Sequence, residues 1–186
     1  MKKRLLCALC AFFPLSLLAA KVHKITPITT DKDIRIEVML SAEANESLSL
    51  DAVITHARNK AILCSHSGEF YFKNKVDTTV VWKIDQLTPE LWSPVNPALY
   101  DLEVKAGTET LHKRIGFRKF EMRDGVFYLN DKPIYLRGNA INPPERGIPE
   151  QLERSKDFAR DYVRFMKSLN INTFTIPDDQ NWMDVC

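Results

Sequence analysis

Leu91 to Asn142 reads LWSPVNPALYDLEVKAGTETLHKRIGFRKFEMRDGVFYLNDKPIYLRGNAIN. Tyr100, Leu102 and Val104 alternate with polar residues, and Leu111, Lys113, Ile115 and Phe117 carry a second period of two. Such alternation predicts half-buried strands. Phe127-Tyr128-Leu129, Asn130-Asp131 and Pro133-Ile134-Tyr135-Leu136 then predict strand, tight turn and strand, closed by Arg137-Gly138. The stretch therefore reads as the last strands of a β-sandwich running into the first strand of a different domain.

Upstream the same grammar repeats. Ile34, Ile36, Val38 and Leu40 form one apolar face, as do Leu48, Leu50, Ala52 and Ile54, and Thr78, Val80, Trp82 and Ile84. Ala44-Asn45-Glu46-Ser47, Arg58-Asn59-Lys60 and Lys73-Asn74-Lys75 supply turn chemistry between them. With Val22 to Ile28 and Ala61 to Cys64, about seven strands fit into about 100 residues, the scale of an immunoglobulin-like sandwich. Trp82 belongs to the inward face of its strand. Trp92 suits a plug at the sandwich end, with a sugar-stacking platform as the competing role for its ring.

Downstream the pattern changes. Asn139 to Gly147 is loop-like in its Pro and Gly content, and Pro149 suits a helix start. Phe158, Tyr162, Phe165, Met166 and Leu169 fall on one helical stripe, with Arg160, Asp161, Arg164 and Lys167 outward. Asn170 is fit to end that helix, because Asn tolerates the left-handed conformation. Ile171 to Ile176 reads as a short buried strand, and Trp182 to Val185 as the start of another helix. Strand, helix, strand is the unit of a parallel sheet.

Leu91-Trp92-Ser93-Pro94, Gly116-Phe117-Arg118, Asp124-Gly125, Leu129-Asn130-Asp131-Lys132-Pro133 and Leu136-Arg137-Gly138 occur in that order. Together they resemble the junction in glycoside hydrolase family two, which includes β-galactosidases, β-glucuronidases and β-mannosidases. The resemblance implies an all-β immunoglobulin-like sandwich over residues 21–122. An incomplete α/β segment follows over 123–186, the start of a (β/α)8 TIM barrel, a fold of about 250 residues when whole. It also implies hydrolysis of O-glycosyl bonds in oligo- or polysaccharides, with retention, by two carboxyl groups about 5–5.5 Å apart.

Those carboxylates, an acid/base Glu after an Asn and a later nucleophilic Glu, are expected beyond Cys186. No catalytic residue is assigned here, and this chain alone is expected to be inactive. Asn45-Glu46 lies in a sandwich turn and is a chance match; Asn45-Glu46-Ser47 also fits a glycosylation sequon, meaningful only in a eukaryotic secretory pathway. Barrel sites form at the carboxyl ends of strands. By the resemblance, Asn142 and Asp178 stand where β-galactosidase-like relatives place sugar-contacting histidines, and Thr175 where many have an Arg. Asp178 and Asp179 are equally suited to cap a helix. Arg137 suits a structural charge partner as well as a ligand.

Residues 1–20 predict a secretory signal peptide: Lys2-Lys3-Arg4, an apolar run, then Ala19-Ala20. An uncleaved anchor is the competing reading, but the run falls short of the about 20 apolar residues of a membrane span. Cleavage near Ala20 predicts a secreted or periplasmic protein with no stable membrane span. It leaves 23 basic residues against 24 acidic ones, with no basic stripe for nucleic acid. Cys64 and Cys186 then remain, a poorly supported disulfide pair. Cys64-Ser65-His66 lacks the further ligands of a tetrahedral metal site, so neither metal nor cofactor is expected. A second reading of the whole is a stand-alone secreted sandwich that binds carbohydrate or protein, the tail serving as an interaction arm. The apolar Ile171 to Ile176 run argues against an arm.

Overall fold

The computed structural model describes residues 20–140, 149–176 and 180–185. The proposed signal peptide falls almost wholly on residues outside this set, as does Cys186. Seven strands build the first unit: β1 (Lys21–Thr29), β2 (Ile34–Ala42), β3 (Glu46–His56), β4 (Ile62–Phe72), β5 (Val76–Ile84), β6 (Tyr100–Ala106) and β7 (Glu109–Ile115). They form two antiparallel sheets, ordered β1-β2-β5 and β4-β3-β6-β7. The alternation read from the sequence sets the inner faces. Ile34, Ile36, Val38 and Leu40 from one sheet meet Leu50, Ile54, Leu102 and Val104 from the other, all fully buried.

Strand β4 is the instructive departure. The sequence marks only Ala61 to Cys64, yet β4 runs for eleven residues, Ile62–Phe72, beside β3. Its middle carries no apolar period because exposed His66 and half-buried Gly68 lie against the Trp82 ring there. His66 lies 5.7 Å from the indole, ring to ring. A Cβ on Gly68 would sit 2.8 Å from the indole Nε1. A small and a polar residue thus make room for one large ring, and hydropathy alone misses the strand. Cys64, at the bulged end of β4, is a free thiol packed against the core, and burial pushes its pKa up.

Tyr100 opens β6 and fixes the sandwich corner. Its hydroxyl accepts the Glu90 backbone N–H at 2.7 Å, the reach-back bond of a tyrosine corner. The ring packs edge-on against Phe117, centroids 5.3 Å apart.

A three-stranded meander follows: β8 (Phe120–Arg123), β9 (Val126–Leu129) and β10 (Lys132–Pro133). Each of its turns has two residues with positive φ, Asp124 (49°) with Gly125 (77°), and Asn130 (52°) with Asp131 (63°). Paired positive φ is the signature of type I′ hairpins, where Asn, Asp and Gly cost least. The meander spans the 122/123 boundary expected from sequence.

The strand predicted over Pro133-Ile134-Tyr135-Leu136 is cut short: β10 ends at Pro133, and Ile134 N still donates to Phe127 O at 2.8 Å. Beyond it the Asn172 side chain takes the neighbouring backbone groups, donating to Tyr135 O at 3.0 Å and accepting from Arg137 N at 2.9 Å. Pairing resumes at β11 (Gly138–Ala140), so Asn139 and Ala140 belong to a strand rather than the predicted loop. After α1 (Glu150–Glu153) and α2 (Lys156–Ser168), β12 (Thr173–Thr175) runs parallel to β11, and α3 (Gln180–Val185) follows.

Ser155 caps α2, accepting from Phe158 N at 3.4 Å, and Asn170 turns out of it at φ 62°. The buried face is Ala159, Val163 and Met166; Phe165 and Leu169, read as inward, are 56% and 54% exposed. The small Ala159 lets α2 approach Trp182, and this rotates the contact face away from the two larger residues. Trp182 is fully buried, edge-on to Phe158 and Tyr162. Likewise β12 is only half covered: Phe174 packs inward while Thr173 and Thr175 are exposed.

Candidate functional site

Two places follow from the sequence reading: the carboxyl ends of the parallel strands and the joint that leads into them. Because β11 and β12 are parallel, Gly138 opposite Thr173 and Ala140 opposite Thr175, the chain leaves both at the same edge. Thr175 is exposed at that edge. Asn142 and Asp178 lie outside the described residues, as does Asp179. Arg137 sits at the opposite end of β11 and works as a brace. Its Nε donates to Asn170 O at 2.6 Å, and its carbonyl accepts from Asn172 N and Thr173 N. That role ties the end of α2 to the start of both strands.

The joint brings the sequence motifs together. Trp92 N donates to Phe117 O at 2.7 Å, and Trp92 O accepts from Asn130 Nδ2 at 3.0 Å. Asn130 also binds its neighbour twice: its Oδ1 accepts from Lys119 N at 3.0 Å and its N–H donates to Lys119 O at 2.8 Å. One left-handed Asn therefore joins the sandwich exit, the Gly-Phe-Arg segment and the meander. Gly116 lets the backbone pass close to Trp92, since a Cβ there would meet the Trp92 Cβ at 3.3 Å. Thr29 Oγ1 donates to Gly116 O at 2.8 Å, anchoring the crossing to β1.

Charge closes the joint. Asp131 accepts from Lys119 Nζ at 2.9 Å and pairs with Arg123 at 2.5 Å; Glu121 pairs with the same Arg123. The Lys119 bond, then the Arg123 bond, hold the Asp131 carboxyl below the usual carboxylate range. Arg118 lies over the half-buried Trp92 ring, its Cζ 5.7 Å from the centroid. Packing and this cation occupy the ring, so the sugar-stacking role is not what the geometry favours. Sequence reasoning found Trp92 and Asn130 as motif letters; the missed partners were Thr29 and Lys119, which make backbone contacts that no side-chain pattern announces.

No three His, Cys, Asp or Glu side chains converge as metal ligands among the described residues. No helix among them is long and apolar enough to cross a membrane.

The family model for glycosyl hydrolases family 2 matches residues 20–118. A β-galactosidase of Leuconostoc mesenteroides is 30% identical over 118 residues, 59% of this chain and 11% of the relative. A putative β-glucuronidase of Formosa agariphila is 30% identical over 135 residues, 64% of this chain and 16% of the relative. The chain thus spans only 11–16% of the length of these two relatives. Among solved structures, a glycosyl hydrolase family 2 member from Bacteroides cellulosilyticus aligns with a TM-score of 0.71 at 19% identity, covering 87% of this chain and 22% of that one. A Parabacteroides merdae β-glucuronidase aligns at 0.65 and 20% identity, over 90% of this chain and 22% of that one. At such identities the structural likeness speaks for the fold.

Proposed function

Because the chain belongs to glycosyl hydrolase family 2, we propose that it forms part of a longer glycoside hydrolase acting on O-glycosyl bonds of oligo- or polysaccharides. The observation that carries this reading is the ordered path from sandwich to parallel strands. The matched sandwich hands the chain through the Trp92–Asn130 joint to a parallel β11–β12 pair covered by α2. In this reading that pair is the beginning of a (β/α)8 barrel, whose sites form at strand carboxyl ends. Asn142 and Asp178 remain candidates for sugar contact there. The two carboxylates of a retaining mechanism belong to the remainder of the longer protein, and this chain alone is inactive.

Aryl-glycoside hydrolysis separates the claims. A longer protein carrying this chain hydrolyses a β-galactoside or β-glucuronide chromogenic substrate, and the 186-residue chain does not. Turnover by the chain alone would sink the inactivity claim. No turnover by a longer protein on any aryl glycoside would sink the enzyme reading.

Secretion is the second part of the proposal, resting on the residue 1–20 pattern. Strand β1 starts at Lys21, so cleavage after Ala20 leaves every described strand intact. Amino-terminal sequencing of the exported protein is expected to begin at or next to Lys21; an intact Met1 would overturn the reading.

A further inference from the structure

The loop after β3 and the segment before β6 line a cavity of about 240 Å³, distinct from the carboxyl ends of β11 and β12. It is lined by His56, Arg58, Glu90, Asn96, Pro97 and Arg114, among others. The polar groups are held in place before any ligand arrives. Glu90 Oε1 accepts from Asn96 Nδ2 at 2.7 Å, and Glu90 Oε2 lies 3.5 Å from His56 Nε2. The imidazole is itself fixed: Nδ1 accepts the Arg58 and Asn59 backbone N–H groups, which leaves the proton on Nε2, facing Glu90. Arg114 is fixed on the other side by two bonds to Asp101 Oδ1.

Arg58 differs from these. Its exposed guanidinium makes no hydrogen bond or ion pair with another described residue, and Glu90 senses it only as a nearby positive charge. A held carboxylate therefore faces an unengaged fork of N–H donors, with the proline ring and the Ala98 and Leu99 segment as apolar lining. Carboxylates accept from hydroxyls and guanidinium donates to them in pairs. A ring bearing adjacent hydroxyl groups satisfies both at once. The volume falls below the about 300–1,000 Å³ of sites for drug-sized ligands, which limits the occupant to about one ring.

We propose that this cavity is a secondary binding site for a single neutral sugar unit, set on the sandwich rather than at the strand ends. The choice of sugar over other polyols rests on the carbohydrate reading above. Glu90 and Asp101 place negative charge beside the cations, which disfavours an anionic ligand. Ordered groups lose little entropy on binding, and Arg58 alone must be immobilised.

The test is an amide NMR titration of the full 186-residue chain with glucose, galactose and mannose, and separately with inorganic phosphate. Saturable shifts of the amides of residues 56–58 and 96, 98 and 99 with at least one sugar are expected, weakened at least tenfold in Arg58→Ala. That side chain is exposed and unbonded, so the variant keeps its fold, and unshifted β2 and β6 amides verify this. No saturable shift with any sugar, response to phosphate alone, or sugar binding unchanged in Arg58→Ala would each overturn the proposal. Hydrolysis is assayed separately, on a longer protein with Arg58 intact. A null titration thus leaves the glycosidase reading standing, and failed hydrolysis leaves the titration result standing.

Discussion

The sandwich and the βαβ tail are made of similar residues but solve burial differently. In the sandwich, two inner faces close on each other, and a continuous core runs from Ala20 to Phe117. In the tail, the buried cluster among the described residues is Ala159 and Trp182, ringed by half-buried Phe158, Tyr162, Phe174, Ile176 and Val185. Phe165, Leu169 and Tyr135 stand exposed beside it. Antiparallel strands with short hairpins complete their own sheets locally. Among the described residues, the two-stranded parallel pair packs against α2 and Trp182 of α3 on one side and has no third strand beside it. Among the described residues, burial in the sandwich is continuous, and burial in the tail is confined to one small cluster.

The largest effect expected from this contrast is a split between two deletions of similar chemistry. Leu50 is fully buried between the sheets, and Leu50→Ala is expected to cost about 2–5 kcal/mol of sandwich stability. Trp182→Ala removes the largest buried side chain of the tail. It is expected to abolish hydrogen-exchange protection in α2 and α3 while the sandwich unfolds at an unchanged denaturant midpoint. Phe165→Ala, at an exposed position, is expected to stay within about 0.5 kcal/mol. A single shared transition that shifts equally for Leu50→Ala and Trp182→Ala would erase the distinction between the two regions.

The same contrast explains what was legible in the sequence. The sandwich strands could be read where the inner face was apolar at every second residue, because a sheet packed on one side obeys a period of two. The reading failed in β4, where His66 and Gly68 trade hydrophobicity for the space Trp82 needs. In the tail it failed at Ile134-Tyr135-Leu136, where the Asn172 side chain satisfies backbone that a strand partner would otherwise take. It failed again at Phe165 and Leu169, since hydropathy gives a helical stripe but not which part of it meets a neighbour. The joint was legible only as motif letters. Its bonds run between the Asn130 and Thr29 side chains and backbone N–H and carbonyl groups, a geometry invisible to periodicity.

Asn130 tests whether the joint couples the regions. It combines a positive φ with side-chain bonds to Trp92 O and Lys119 N. Asn130→Gly keeps the backbone freedom and removes only those bonds, whereas Asn130→Ala also strains the turn. Loss of the side-chain bonds is expected to cost about 1–3 kcal/mol, felt as faster exchange in β8 to β10. The sandwich core is expected to keep its protection. Ala is expected to be worse than Gly. Equal effects would mean that the turn needs the bonds alone, and no effect would mean that Trp92 and the ion pairs hold the joint without them.

The smallest expected effect is a pH dependence belonging to the sandwich alone. On the outer face of β6, Asp101 accepts from Lys60 Nζ at 2.9 Å and from Arg114 on β7. The Lys60 bond, then the Arg114 bond, lower its carboxyl pKa against partial desolvation. A carboxyl lowered on folding binds fewer protons folded than unfolded. Its contribution is therefore fully present above the unfolded value of about 3.9 and is lost as pH falls through the lower folded value. The side chain is 34% exposed, so screening keeps the contribution within about 1 kcal/mol. Asp101→Asn is expected to lower the melting temperature slightly at pH 7 and to flatten the acid decline below about pH 4, where Asp131 in the joint still titrates in the same sense. Melting curves of both proteins between pH 7 and pH 2 decide it. If the two curves stay parallel down to the most acid point, the Lys60–Asp101–Arg114 cluster adds nothing to the sandwich, and its closure rests on the apolar faces alone.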